Sequence, residues 1–338
     1  KILASTLIRF RTKTNQISRI VLDLKGYTID SVKFRQSHVS YQRQGEKIRI
    51  QFPEPLNNDQ LDSVQLWYGG SPFVNIQDFG RFYISPGFSY KIGVSFLEDP
   101  HNFGRAWFPC FDNFTERSTF TCRISTRPDL LGYAGGVLVQ DTLLADRRVR
   151  TWEMNQEIPT YLASAASAAF SELKDKYLSS TGREIPVILA AVPADTALVK
   201  SAFANLKPVF HLFEAHFGPY RWDRIGYVFV PFMAGAMEHA TNIAFPRALL
   251  SSGAEGCNHI MAHELAHHWF GNLVTCRTAS EMWLNEGFSK CAEFLFDEWM
   301  SGKAAYNQSV RQNHRELLIY NHVRNGGQPP PSKNPSTY

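Results

Sequence analysis

The chain has 338 residues, 44% of them hydrophobic and 20% charged, with a formal net charge of +4. Such a composition excludes a disordered polymer, and the length favours two domains over one. Basic residues are scattered rather than blocked, which argues against nucleic acid, and no run of about eighteen apolar residues predicts a helical membrane span.

Along the first half, ISRIVLDL, KIRIQF, SVQLWY, TFTCRIS, RVRTWEM and TYLASAA are short, β-branched or aromatic segments with partial period-two alternation. Turn signals at Gly26, 53–58, 69–72 and 132–136 separate them. An antiparallel β saddle or sandwich over residues 1–170 is expected, followed by a mixed α/β domain over 171–338. In the second part EIPVILAAVP and RIGYVFVPF read as strands. Between them Leu198, Phe203, Leu206, Phe210 and Phe213 recur at helical spacing, predicting one helix capped at Asp195 and stopped at Gly218. Two further helices are predicted over 254–270 and 279–300.

The tail NGGQPPPSKNPSTY is Gly/Pro-rich, and the expectation is that the second domain is truncated at its C-terminal side. Lys rather than Met at position 1, with no signal-peptide pattern after it, points to a trimmed chain and leaves the compartment open. Five cysteines without a C-x-x-C pair give no sign of a disulfide-dense scaffold.

The chemistry concentrates in NHIMAHELAHHWFGN, residues 258–272, which holds four of the eleven histidines. Positions i and i+4 share a helix face, so His263 and His267 can offer two imidazoles to one metal ion. Glu264 stands about 100° round the helix, placed to reach a water at the metal. By itself H-E-x-x-H also fits a structural helix with satisfied histidines. The extended motif needs Gly and His where this chain has Phe270 and Leu273. A glutamate from a second helix is the other solution, and Glu286 in WLNEGF lies nineteen positions beyond His267. Two histidines and one glutamate make a catalytic rather than a structural zinc set. His268, about 140° from His263, faces elsewhere. His259 is on nearly the same face, but three imidazoles over two turns span about 12 Å, so it is at most a supporting neighbour. Asn285 and Glu281 are candidates for orienting an imidazole.

HELAHHWFGNLVT followed by WLNEGF resembles the aminopeptidase N type of zinc metallopeptidase, a gluzincin family. GAMEH at 235–239 is similar to the family's G-x-M-E-N, with Glu238 twenty-five positions before His263, and RAWFPCFD at 105–112 is similar to a signature of its β domain. The resemblance spans residues from about 10 to 300. It implies a saddle-like β domain, then a thermolysin-like catalytic domain with one Zn2+ held by His263, His267 and Glu286, and Glu264 as general base. It also implies peptide substrates with a free N-terminus, the amine gripped by Glu238 within the substrate-binding stretch Gly235, Ala236, Met237, Glu238 and His239.

His239 stands where the family has Asn, and because imidazole titrates near neutral pH, altered substrate contacts or an altered pH profile are expected. Glu98 is the nearest candidate for a further amine-recognising residue of the β domain. Tyr338 is the candidate for the family's oxyanion-binding tyrosine, whereas Tyr306 and Tyr320 are expected to be packing residues. The alternatives are an epoxide hydrolase on the same scaffold and a catalytically impaired relative acting as a binding module.

Overall fold

The structure, a computed structural model, describes residues 1–74, 79–99 and 101–319. Up to Ala168 its strands pair antiparallel. Ile2–Arg11, Leu61–Gly70, Thr28–Phe34 and Ser37–His38 form one sheet in that order, and Ile17–Asp23, Lys47–Leu56 and Tyr41–Gln44 form another. Alternation along these strands sends Ile48, Ile50, Val64 and Leu66 inward, and Phe34 stacks on Phe52 across the two sheets at 4.7 Å. Two more sheets follow: Arg117–Thr126, Arg148–Pro159 and Val137–Leu143, then Leu131–Ala134, Ala165–Ala168, Phe88–Ile92 and Arg81–Ser85.

TYLASAA is not the single strand expected. Thr160–Leu162 makes a 3-10 turn, and only Ala165–Ala168 pairs in a sheet. The Thr160 hydroxyl is drawn instead to Asp112, 2.7 Å away. That contact belongs to a buried polar cluster. Asp112 also accepts from the backbone N–H groups of Gly104 and Arg105, from Asn102 Nδ2 and from Arg105 Nη1. The Arg and Asp of RAWFPCFD are therefore a buried ion pair of 2.9 Å that folds the loop back on itself. Glu46 and Glu98 also pair with Arg105.

Sheet membership changes between Ala168 and Ser171. Ser171–Leu178 pairs antiparallel with Glu184–Ala191, which runs parallel to Ile225–Val230, itself parallel to Ile243–Pro246. All six residues of Ile225–Val230 are buried, as a strand covered on both faces requires. The predicted single helix between these strands is two, α1 (Thr196–Ala202) and α2 (Leu206–Phe217). Asp195 makes no side-chain cap, because its carboxylate binds Arg247 at 2.8 and 3.0 Å. Leu198 is exposed, while Phe203, Leu206, Phe210 and Phe213 are core. Gly218, at φ +89°, ends α2 as expected.

Helices α3 (Gly253–Ala266) and α4 (Trp283–Ser301) pack together and carry HELAH and WLNEGF. A fifth helix, α5 (Lys303–Ile319), has no buried residue, so it offered no apolar stripe to read. All five cysteines are free. No helix among the described residues is long and apolar enough to cross a membrane.

Asp112→Ala would leave the Arg105 guanidinium short of its most buried partner. Breaking a buried pair by removing one member costs about 3–5 kcal/mol. Urea unfolding should show a loss of that order, and a loss under about 1 kcal/mol would mean that Glu46 and Glu98 suffice.

Candidate metal centre and active site

His263 projects from the last turn of α3 and His267 from its C-cap, and their Nε2 atoms face one another at 3.0 Å. Glu286, in the first turn of α4, brings Oε2 to 3.2 Å from the first and 3.6 Å from the second. These three form the one His/Cys/Asp/Glu group among the described residues whose ligand atoms all lie within 4.8 Å of each other. Two zinc–ligand bonds of about 2.0–2.1 Å at a tetrahedral angle end about 3.3–3.4 Å apart, so the set fits zinc.

Each imidazole is held by its other nitrogen. His263 Nδ1 donates to Glu293 Oε1 at 2.8 Å. His267 Nδ1 lies 2.9 Å from the Phe270 carbonyl and 3.0 Å from Ser289 Oγ. Both bonds leave Nε2 with its lone pair free to bind. Neither Asn285 nor Glu281 does this work. Asn285 Oδ1 accepts from the Cys276 N–H, and Glu281 closes a capping box with Thr278 ahead of α4. The residue missed was Glu293, and the signal existed: it lies seven positions after Glu286, two turns along the same helix face. Gly271, at φ +127°, follows the second ligand, and a Cβ there would sit 3.1 Å from His267 Nδ1.

Glu264 is buried, and its Oε2 has no hydrogen-bond partner among the described residues. Burial raises its proton affinity well above the usual carboxylate range. Glu238 is buried too and is raised for the same reason. Glu286 behaves oppositely: burial works against its charge, yet His267 and His263 beside it hold it low. For His267 burial favours the neutral ring, but Glu286 and Glu238 outweigh it and raise the pKa to about 9 in the metal-free protein.

The GAMEH stretch lies against the mixed sheet. Met237 and Ala244 exchange two backbone hydrogen bonds of 2.9 and 3.0 Å, pinning it to Ile243–Pro246. Gly235 has φ +134°, with Phe79 only 3.5 Å from where a Cβ would stand, and Ala236 packs on the core. His239 closes the stretch. It is 1% exposed, and burial pushes its pKa well below 6.5, so the ring stays neutral across the neutral range. Glu98 pairs with Lys25 at 2.5 Å and Arg105 at 3.2 Å inside the β domain. Tyr338 and Tyr320 lie outside the described residues. Tyr306 packs edge-on against Phe294.

The remaining histidines separate as their angles suggested. His268 is buried and neutral, its pKa driven down to about 3 by burial, and its Nε2 accepts from the Thr241 N–H at 3.0 Å. His259 is mostly exposed and pairs with Asp297 at 2.7 Å.

Two family models match the chain: the peptidase M1 N-terminal domain over residues 1–162 and the peptidase family M1 domain over 201–327. Similar curated proteins include probable aminopeptidase 2 of Sulfurisphaera tokodaii, 29% identical across 83% of this chain and 36% of its own length. Human glutamyl aminopeptidase is 28% identical across 81% and 29%, and rat aminopeptidase B is 31% identical across 81% and 40%. The chain thus spans roughly a third of the length of such relatives. A crystal structure of an M1 zinc metallopeptidase from Deinococcus radiodurans superposes with a TM-score of 0.82 at 20% identity, over 98% of this chain and 72% of that one, and so shares its fold. With an antiparallel β domain, a mixed-sheet domain with the H-E-x-x-H helix, and both models in sequence order, the chain belongs to peptidase family M1.

Proposed function

We propose that the protein is a zinc-dependent aminopeptidase that removes the first residue of peptides. The observation that carries this reading is the convergence of His263, His267 and Glu286 at 3.0–3.6 Å beside two buried carboxylates, Glu264 and Glu238. His263, His267 and Glu286 hold the ion. Bound zinc supplies a Lewis acid that polarises a carbonyl and lowers the pKa of water.

The chain's own groups do the rest. Glu264 takes a proton from the attacking water on its free carboxylate oxygen and passes it to the departing amine nitrogen. Burial suits it to both halves of that task, because a raised proton affinity makes it a stronger base than an exposed carboxylate. Glu238 pairs with the substrate's terminal ammonium, which fixes the first residue against the metal and sets where the bond breaks. Gly235, Ala236 and Met237 supply the backbone beside that residue. His239 is a neutral wall rather than a charge.

Glu264→Gln keeps the shape but cannot accept a proton. Zinc content should be unchanged while hydrolysis of an aminoacyl anilide falls about 10²–10⁴-fold; near wild-type turnover would remove Glu264 from the chemistry. Glu293→Gln tests the support behind His263. Zinc affinity, read by competition with a chelator, should drop about 10–100-fold. Unchanged affinity would show that the carboxylate does not tune the ligand.

A further inference from the structure

Asn272 joins three parts of the molecule. It is fully buried, five positions beyond His267, and its backbone N–H donates to the His267 carbonyl at 2.9 Å. Its side-chain Nδ2 donates to the backbone carbonyl of Glu238 at 2.8 Å. Its own carbonyl accepts from Arg117 Nη2, on strand Arg117–Thr126 of the β domain, at 2.6 Å. Arg117 is fixed in turn: Nη1 reaches Thr275 Oγ1 at 2.9 Å, and Nε and Nη2 reach the Glu157 carbonyl at 3.2 and 3.0 Å. Thr275 Oγ1 closes the same turn on the Gly271 carbonyl at 2.5 Å.

The sequence gives Glu238 little local support of its own. Its neighbours are pinned, Met237 to Ala244 and the Ala240 N–H to the Leu162 carbonyl, but the Glu238 carbonyl takes its hydrogen bond from Asn272. One residue therefore links the backbone of a metal-ligand residue, through its own N–H, to the backbone of Glu238, through its side-chain amide.

We infer that Asn272 is a positioning residue that sets where the Glu238 carboxylate stands relative to the metal ligands, with Arg117 holding Asn272 in place. This rests on the reading of Glu238 as the ammonium anchor. An ammonium–carboxylate contact in a buried site depends steeply on geometry, and a displacement of about 1 Å can cost about 10²-fold in productive binding. Removing the Asn272 amide shifts the anchor and leaves His263, His267 and Glu286 with all their contacts. Its effect falls selectively on ligands that carry an amine.

The test uses the zinc-loaded chain and two inhibitors, leucine hydroxamate and its des-amino analogue 4-methylpentanohydroxamate. Both can chelate the metal, and only the first carries an amine. Asn272→Asp is nearly isosteric but turns the donating NH2 into an oxygen facing the Glu238 carbonyl. It should weaken leucine hydroxamate about tenfold or more, with the des-amino analogue and zinc content unchanged. Equal weakening of both ligands, or of neither, overturns the inference. A wild-type chain that binds both equally overturns the anchor reading and the inference with it, whereas a wild-type preference for the amine that survives in Asn272→Asp overturns the inference alone. If Asn272→Asp does not fold, Arg117→Lys decides by the same comparison, since lysine keeps the charge and loses the fork. A loss of about threefold confined to leucine hydroxamate supports the inference, and an equal or absent loss overturns it.

Discussion

Two imidazole nitrogens and a carboxylate oxygen are held within 3.6 Å of one another in a half-buried corner between α3 and α4. Left to themselves, lone pairs at that separation repel, and a half-buried carboxylate resists losing its water. The fold holds them there by engaging the far side of each ring, through Glu293 for His263 and the Phe270 carbonyl with Ser289 for His267. A divalent cation relieves all three groups at once. Beside these groups a Cβ at Gly271 would crowd His267 Nδ1, and buried Glu264 keeps an Oε2 without a hydrogen-bond partner among the described residues.

The helix carrying the histidines is fixed from beneath by the mixed sheet. The Tyr227 hydroxyl, from the fully buried strand, donates to the Met261 carbonyl at 3.1 Å, and the Trp222 indole donates to the His268 carbonyl at 3.0 Å. From the opposite side the β domain reaches the same corner. Arg117 binds the turn after α3, and the buried Tyr161 sets its hydroxyl 3.4 Å from both Asn285 Nδ2 and the Gly271 carbonyl. Gly93 is packed so closely on the Tyr161 backbone that no side chain fits there, with His239 alongside. The site is thus built by both halves of the chain, and the β domain is part of its scaffold.

Much of this was legible in the sequence because it rests on helical periodicity. His263, His267 and the strand runs declared themselves by spacing, and Glu286 by its place in a second helix. Glu293 is equally periodic, seven positions beyond Glu286 on the same helix face. What spacing cannot convey is where buried charge goes. Asp195 read as a helix cap but serves Arg247, and Glu98 carries ion pairs to Lys25 and Arg105 that its local sequence does not announce. Both are acidic groups in plausible local settings that a cation from a distant segment claims. His239 is a similar case: the residue type suggests a ring that titrates near neutral pH, and burial lowers its pKa well below that range. Helix α5 escaped for the converse reason, since a helix with no buried side chain has no pattern to show.

The most direct measurement of the account is a product analysis by mass spectrometry. The zinc-loaded chain is given one peptide in two forms, with the N-terminus free and acetylated. Sequential loss of single residues from the free form, with the acetylated form intact, is the predicted result, because a buried carboxylate beside the metal needs an ammonium to pair with. Internal cleavage of either peptide, or equal trimming of both, would contradict it.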